Sequence, residues 1–476
     1  MTGETVLPLL RAGRWYRSMD TVPVPGGPLL SLAPEIMVRD DSARLRARRA
    51  AMTMPSRARR LELLREAVAL FRHGRVPVES LGVQDTGGFE EAMRATAGLP
   101  PALVRRWSGM LAERLEELAA DAPDADAGAD VTAGGSVGVD GLTLVSLPAN
   151  TFTCLEGVLE AALSGAAVWI RPSRREPLSS ARLVGALLSV GWPPETLGYY
   201  PSAPRTLPAL IRATDRQIVY GGDGLAAGPA AGAPSLDLRG PGRACVIVGA
   251  GEPVDPEDLA ARIARDAGRF CTCACTVVFL RETASLEAAS LRDAASLQET
   301  ASLQEAASLR QAEILREIGA FRETRTPWDA GGFSDTGAPW QAEADARRVE
   351  ADAWRVAEVL DGISLDPPDP RWPQASWAEA DAARMAAFVS DRLAPGGRVL
   401  TRRPLLVRSG GATFLAPTLV HVDDVGHPLV GCELPFPLAV VVSTDEAGAR
   451  GVAAGSRFVH RARFATVPEV PEGVSS

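Results

Sequence analysis

Between Leu142 and Val248 the chain alternates short apolar runs with amphipathic ones, and that alternation restricts the possible folds more than any other feature. Leu142 to Leu147 reads as a strand, Cys154 to Leu163 as a helix and Ala166 to Arg171 as a strand. Ser179 to Ser189 is again helical, and Gln217 to Tyr220 and Ala244 to Val248 are strands. The strands are runs of β-branched and apolar residues with no alternation, as expected of strands buried on both faces. A parallel sheet covered by helices produces this pattern and takes ligands at the carboxyl ends of its strands. Gly222-Asp223-Gly224-Leu-Ala-Ala227 follows one of these strands and satisfies the spacing of a glycine-rich phosphate loop, without the acidic residue expected further on.

The next stretch, Asp255 to Leu280, is where chemistry enters. Asp255 followed by Pro256 is a helix start, the side-chain oxygen capping free N–H groups and the proline fitting the first helical position. Leu259, Ile263 and Ala267 recur every four residues and predict one buried face, with Arg262, Arg265 and Arg269 near water and an end around Gly268. Thr276 to Leu280 then reads as a buried strand. Cys271, Cys273 and Cys275 lie at this handover from helix to strand, beside arginines that would favour a thiolate. One of them is placed to act as a nucleophile. Equally, three alternating cysteines can simply pack along a strand. Metal binding fits less well, because no second cysteine or histidine pair completes a tetrahedral set.

The chain of 476 residues has room for two or three domains. A net charge of −9, with no basic run and interleaved aromatics, argues against a nucleic-acid surface. No apolar stretch is long enough to cross a bilayer, and Met1 to Leu10 lacks the build of a signal peptide. Six scattered cysteines make no disulfide framework, and a reducing cytoplasm is the simplest location. Residues 1–122 and 138–250 are expected to form a cofactor domain, with 123–137 a loop or oligomerisation hairpin between them. A catalytic domain over 251–455 carries a helical repeat at 283–313, with leucines at six-residue spacing, and a Trp-, Pro- and Asp-rich insertion at 322–375 expected to be irregular. Residues 456–476 form a tail.

Several separated stretches resemble segments of the aldehyde dehydrogenase superfamily, in that family's order. Leu147-Pro-Ala-Asn150 resembles its P-W-N segment, Trp169-Ile-Arg-Pro-Ser173 its V-L-K-P-S stretch, and Ile218-Val-Tyr-Gly-Gly222 the strand and turn before the pyrophosphate-side helix. Leu236-Asp-Leu-Arg-Gly240 is similar to E-L-G-G, and Gly268-Arg-Phe-Cys271-Thr272 to G-Q-x-C-T. Phe414-Leu-Ala-Pro-Thr418 and Cys432-Glu-Leu-Pro-Phe-Pro437 resemble F-x-x-P-T and E-I-F-G-P. The resemblance implies an α/β, aldehyde dehydrogenase-like fold with a Rossmann-type cofactor domain plus an α/β catalytic domain. It implies Cys271 as the nucleophile, Asn150 as an oxyanion donor, and Arg171, Pro172, Ser173, Arg174, Gly222, Asp223 and Glu433 as cofactor-binding. Relatives form homodimers, partly through a P-F-G-G-x-K-x-S-G stretch that is not recognisable after Ala454 here.

The departures point to a branch. Asp237, followed by Arg239, stands where acid-forming members carry a water-activating glutamate. An enzyme that passes its acyl group to or from a thiol does not need that base. Gly240 to Val248 and Tyr220 to Asp223 resemble the acyl-thioester reductases typified by the fatty-acid reductase of bacterial luminescence. The expected reaction is therefore reduction of an acyl-CoA or acyl-carrier-protein thioester to an aldehyde through an acyl-Cys271 intermediate. The expected cofactor is NADPH, or NADH, since guanidinium groups at Arg171 and Arg174 suit a 2′-phosphate. Two other readings stand beside it: an NAD(P)+-dependent, acid-forming dehydrogenase with Asp237 or another carboxylate as the catalytic base, and a non-catalytic family member that binds a partner.

Overall fold

The computed structural model describes residues 5–121, 136–221, 235–281, 339–394 and 396–462. Two sheets organise it. The first has seven strands: β1 (Leu9–Arg11), β2 (Arg14–Tyr16), β3 (Leu142–Ser146), β4 (Ala167–Arg171), β5 (Leu197–Tyr199), β6 (Arg216–Tyr220) and β7 (Leu236–Arg239), in the order β7-β6-β3-β4-β5-β1-β2. Strands β3 to β7 pair in parallel, and β1 and β2 close one edge antiparallel. Because β3 is central, with β4 and β5 on one side and β6 and β7 on the other, the strand order reverses between β3 and β6. The crevice at the carboxyl ends of that pair is where such sheets take ligands.

The local reasons are those of a buried parallel sheet. All five residues of β3 are buried, as are four of the five in β4. The Leu178–Ser189 helix packs against β5 and the Arg57–His73 helix with ten of its residues buried, including Arg182, which donates to the carbonyls of Phe71, Gln84 and Gly74. With those acceptors supplied, a buried guanidinium is tolerated.

The second sheet runs β10-β11-β12-β9-β8-β13, with β8 (Cys245–Val248), β9 (Thr276–Leu280), β10 (Gly397–Val399), β11 (Thr418–Val422), β12 (Leu438–Thr444) and β13 (Val459–Arg461). All its pairings are parallel except that of β10 with β11. This corrects one expectation: Cys245–Val248 does not extend the first sheet but pairs with β9, Cys245 opposite Thr276. Both are β-branched, largely apolar runs, so the sequence alone gives neither a preferred sheet. Residues 456–462 are not a loose tail either, since they supply the edge strand β13 against β8.

Further differences concern the insertion and the first loop. Within 322–375, the Pro339–Asp361 segment is a helix whose Val349, Ala353, Val356, Ala357 and Leu360 pack in one core with Leu259 and Ile263. Its apolar residues recur at helical spacing, a signal outweighed in the composition by Trp, Pro and Asp. At the end of the 123–137 loop, Ser136–Gly138 pairs antiparallel with Thr53–Pro55. The repeat at 283–313, the rest of that loop and the Gly222–Ala227 motif lie outside the described residues. No described helix is long and apolar enough to cross a membrane.

The nucleophile stretch folds as its caps dictate. Asp255 accepts from the backbone N–H groups of Glu257 and Asp258, and the Pro256–Ala264 helix follows. The helix stops earlier than Gly268, because Asp266, Ala267 and Gly268 are all left-handed, with φ of 55°, 55° and 64°. Two non-glycine residues there carry backbone strain. Asp266 is held in place by Trp107 Nε1, which donates to it at 2.9 Å, and by an ion pair to Arg106. This reversal turns the chain back toward the first sheet before Cys271.

Candidate active site

Asn150 lies four residues beyond the carboxyl end of β3, and its Nδ2 donates to the carbonyl of Arg269 at 2.7 Å. The end of the central strand of one sheet is thereby tied to the cysteine loop that leads into the other. On the opposite side, Gly242 packs so closely that a Cβ there would fall within 3.0 Å of Cys271. The turn carrying Gly242 is clamped by Glu433, whose Oε2 accepts from Gly242 N at 2.6 Å and Arg243 N at 3.1 Å. The structure thus brings Asn150, Cys271 and Glu433 together from three distant parts of the chain. Cys271 is exposed, whereas Cys273 and Cys275 are buried, their thiols donating to the carbonyls of Arg265 and Ala244. Those two cysteines pack; only Cys271 is presented.

The electrostatics of Cys271 run against the expectation of an arginine-stabilised thiolate. Although the residue reaches solvent, the protein crowded around its sulfur pushes the thiol up to about 11, with Glu433 the next cause and Arg457 opposing. Glu156 adds to the rise. Of the nearby arginines, Arg269 is not near water at all but 5% exposed. In the unliganded protein, alkylation of Cys271 by iodoacetamide should therefore keep accelerating up to about pH 11. Because the Glu433 charge raises the thiol, Glu433→Gln should move that midpoint down. A midpoint at or below the ordinary cysteine value in the wild type would refute this reading.

Asp237 stands apart. On β7 its Oδ2 accepts from Arg239 Nε at 2.8 Å, and Arg239 also donates to Glu160 Oε2 at 2.6 Å and to the Tyr220 hydroxyl at 3.1 Å. The charges that bear most on Cys271 are those of Glu433, Arg457 and Glu156, not that of Asp237. Glu156 is the carboxylate that sequence reading missed. It starts the Glu156–Ser164 helix, pairs with Arg114 at 3.2 Å and has its carboxyl raised, chiefly by burial. A glutamate in the first turn of a helix is so ordinary that nothing in the sequence singles it out.

The residues assigned to the cofactor divide. Arg171, at the end of β4, donates to Ser202 Oγ at 2.9 Å and Ser146 Oγ at 3.2 Å but meets no carboxylate. Burial and then the nearby charge of Arg174 lower it to about 10. Arg174 is exposed and makes no ion pair among the described residues, Pro172 is buried, and the hydroxyl of Ser173 accepts from Arg175 N at 3.2 Å. A partly buried cation with hydroxyl partners only, next to a second cation at the carboxyl edge of a parallel sheet, fits the anionic part of a dinucleotide. Gly222 and Asp223 fall outside the described residues, and Glu433 spends its carboxylate on the Gly242 turn.

Two parallel-strand sheets with a presented cysteine where they meet define an α/β protein of the aldehyde dehydrogenase fold, and comparison with solved structures agrees. The chain is similar to an NAD-dependent aldehyde dehydrogenase from Sinorhizobium meliloti, at 17% identity and a TM-score of 0.65 over 98% of this chain and 84% of that one. It is similar too to an NAD-dependent benzaldehyde dehydrogenase from Corynebacterium glutamicum, with 14% identity and a TM-score of 0.65 over 97% and 90% of the two chains. A betaine aldehyde dehydrogenase from Staphylococcus aureus gives 12% identity and 0.62 over 97% and 88%. No family model and no curated protein matches the sequence.

Proposed function

We propose that this protein is a nicotinamide-dependent oxidoreductase that reduces an acyl thioester, carried on coenzyme A or a carrier protein, to an aldehyde through Cys271. The fold likeness to aldehyde dehydrogenases supports the broader class. The observation that favours the thioester direction is the ion pairing of Asp237 to Arg239, which leaves the carboxylate at the water-activating position engaged. The Cys271 sulfur attacks the acyl carbon and the carrier leaves as its thiol, taking the proton Cys271 gave up. Asn150 spends one N–H on the Arg269 carbonyl and has a second for the oxyanion. NADPH or NADH, when bound, supplies hydride to that carbon. The carbon–sulfur bond then breaks, releasing the aldehyde and the Cys271 thiolate, which takes a proton from solvent.

Arg171 and Arg174 are the residues that would hold the cofactor's phosphates, with Pro172 and Ser173 shaping the turn between them. Glu156 favours a second reading. A half-buried carboxyl, raised above its ordinary range and felt by Cys271, is suited to activate water and make the enzyme acid-forming. Product analysis separates the two. Aldehyde from acyl-CoA and NAD(P)H supports the thioester reductase; acid from aldehyde and NAD(P)+, abolished by Glu156→Gln, would replace it. Absence of both reactions in folded protein would leave a binding role.

A further inference from the structure

Three arginines are buried among the described residues: Arg60, Arg182 and Arg269. Arg60 donates to the carbonyls of Leu163 and Pro55, and Arg182 to three carbonyls. Arg269, 5% exposed, differs from both. Among the described residues its guanidinium has no carboxylate and no hydrogen-bond acceptor, its Nε is enclosed without a partner, and what it touches is the ring of Trp377, 5.0 Å from centroid to guanidinium carbon. Burial alone lowers it to about 10, so it is still charged at neutral pH. A guanidinium has five N–H donors, and burying this one with its Nε enclosed and no protein acceptor among the described residues is a costly arrangement for a fold to retain. Stacking on an aromatic face leaves the in-plane donors free for a bidentate acceptor.

The location gives this cost a purpose. Arg269 precedes Cys271 by two residues, and its own carbonyl is the acceptor of Asn150. Trp377, from the Ser376–Trp377 strand, supplies the ring against which the guanidinium lies. We propose that Arg269 is the counter-charge for an anionic group, a carboxylate or a phosphate, on the ligand that approaches Cys271. This assignment holds whether the acyl group passes to a thiol or to water.

The test uses the full chain as wild type, Arg269→Met and Arg269→Lys, with succinate, inorganic phosphate and the neutral butyramide as probes at matched ionic strength. Melting temperature and the rate of Cys271 alkylation are read for each. In wild type, succinate or phosphate should raise the melting temperature and slow alkylation at least about tenfold at saturation, while butyramide does neither. Arg269→Met should lose the slowing of alkylation and Arg269→Lys keep part of it, whereas any melting response to phosphate that persists in Arg269→Met belongs to Arg171 and Arg174. Whichever anion acts tells a carboxylate on the acyl group from a phosphate on its carrier. Without probe, Arg269→Met should melt no lower than wild type, since it removes an unpaired buried charge. A lower melting point or failure to fold would make Arg269 a structural cation and overturn the proposal. So would indifference of the wild type to both anions, or retention of the slowing of alkylation in Arg269→Met.

Discussion

Cys271→Ala should abolish acyl transfer and aldehyde formation, lowering turnover by at least about 10⁴-fold, because no other group in the site can form the covalent intermediate. The neighbouring thiols are poor substitutes. Cys273 and Cys275 are buried, and their thiols are pushed up to about 12, mainly by burial. Cys154 is half-buried with a thiol raised well above its ordinary value, first by burial and then by Glu156. Since Cys271 is exposed and its thiol makes no hydrogen bond to another described residue, the variant should fold with an unchanged melting temperature. Intact mass after mixing with acyl thioesters, followed by peptide mapping, is the measurement. An adduct that persists in Cys271→Ala, mapped to Cys154, would move the nucleophile and refute the assignment.

Gly242→Ala should be nearly as damaging without touching a reactive group. The added methyl would lie under 3.0 Å from both the carbonyl oxygen and the Cβ of Cys271. Its own turn cannot retreat, because Gly242 N is held by Glu433 and Gly242 O accepts from Arg457 N at 2.8 Å. The strain therefore falls on the cysteine loop. A displacement of about 1 Å at a reacting atom costs about 10²-fold in rate, and overpacking should lower stability by about 1–3 kcal/mol. Single-turnover acylation and thermal melting read the two effects separately. Gly451→Ala, in a helix with open space at that position, is the control and should leave acylation unchanged. Wild-type acylation in Gly242→Ala would show that the turn does not hold the nucleophile.

The parts legible in the sequence were those set by local chemistry. Asp255 caps its helix, Thr276–Leu280 forms a central strand, and the strands and helices from Leu142 to Tyr220 occupy nearly the expected positions. In each, a capping side chain or a run of apolar residues decides the local conformation whatever the rest of the chain does. The short strand Leu197–Tyr199 and the Leu207–Ala213 helix went unread because each is too brief for a period to show. The strand's place in the first sheet comes from pairing with its neighbours, not from a pattern of its own.

The site divides along the same line. That a cysteine stands between a capped helix and a buried strand, with Asn150 after an earlier strand, follows from the order of residues. Which charges meet there does not. Arg239 joins Asp237 to Glu160, 79 residues away, and Glu433 reaches the Gly242 turn across 191 residues. Arg269 sits in a sequence that places it in water, yet three left-handed residues turn it inward against Trp377. The sequence by itself determined the capped helix, most strands and helices between Leu142 and Tyr220, and the place of three cysteines between a helix and a buried strand, because backbone propensity and apolar periodicity act over a few residues. Only the tertiary structure decided the sheet of Cys245–Val248, the engagement of Asp237 and Glu433, and the unpaired charge of Arg269. Pairing between distant strands and loops is set by how whole faces dock, and no local pattern encodes that.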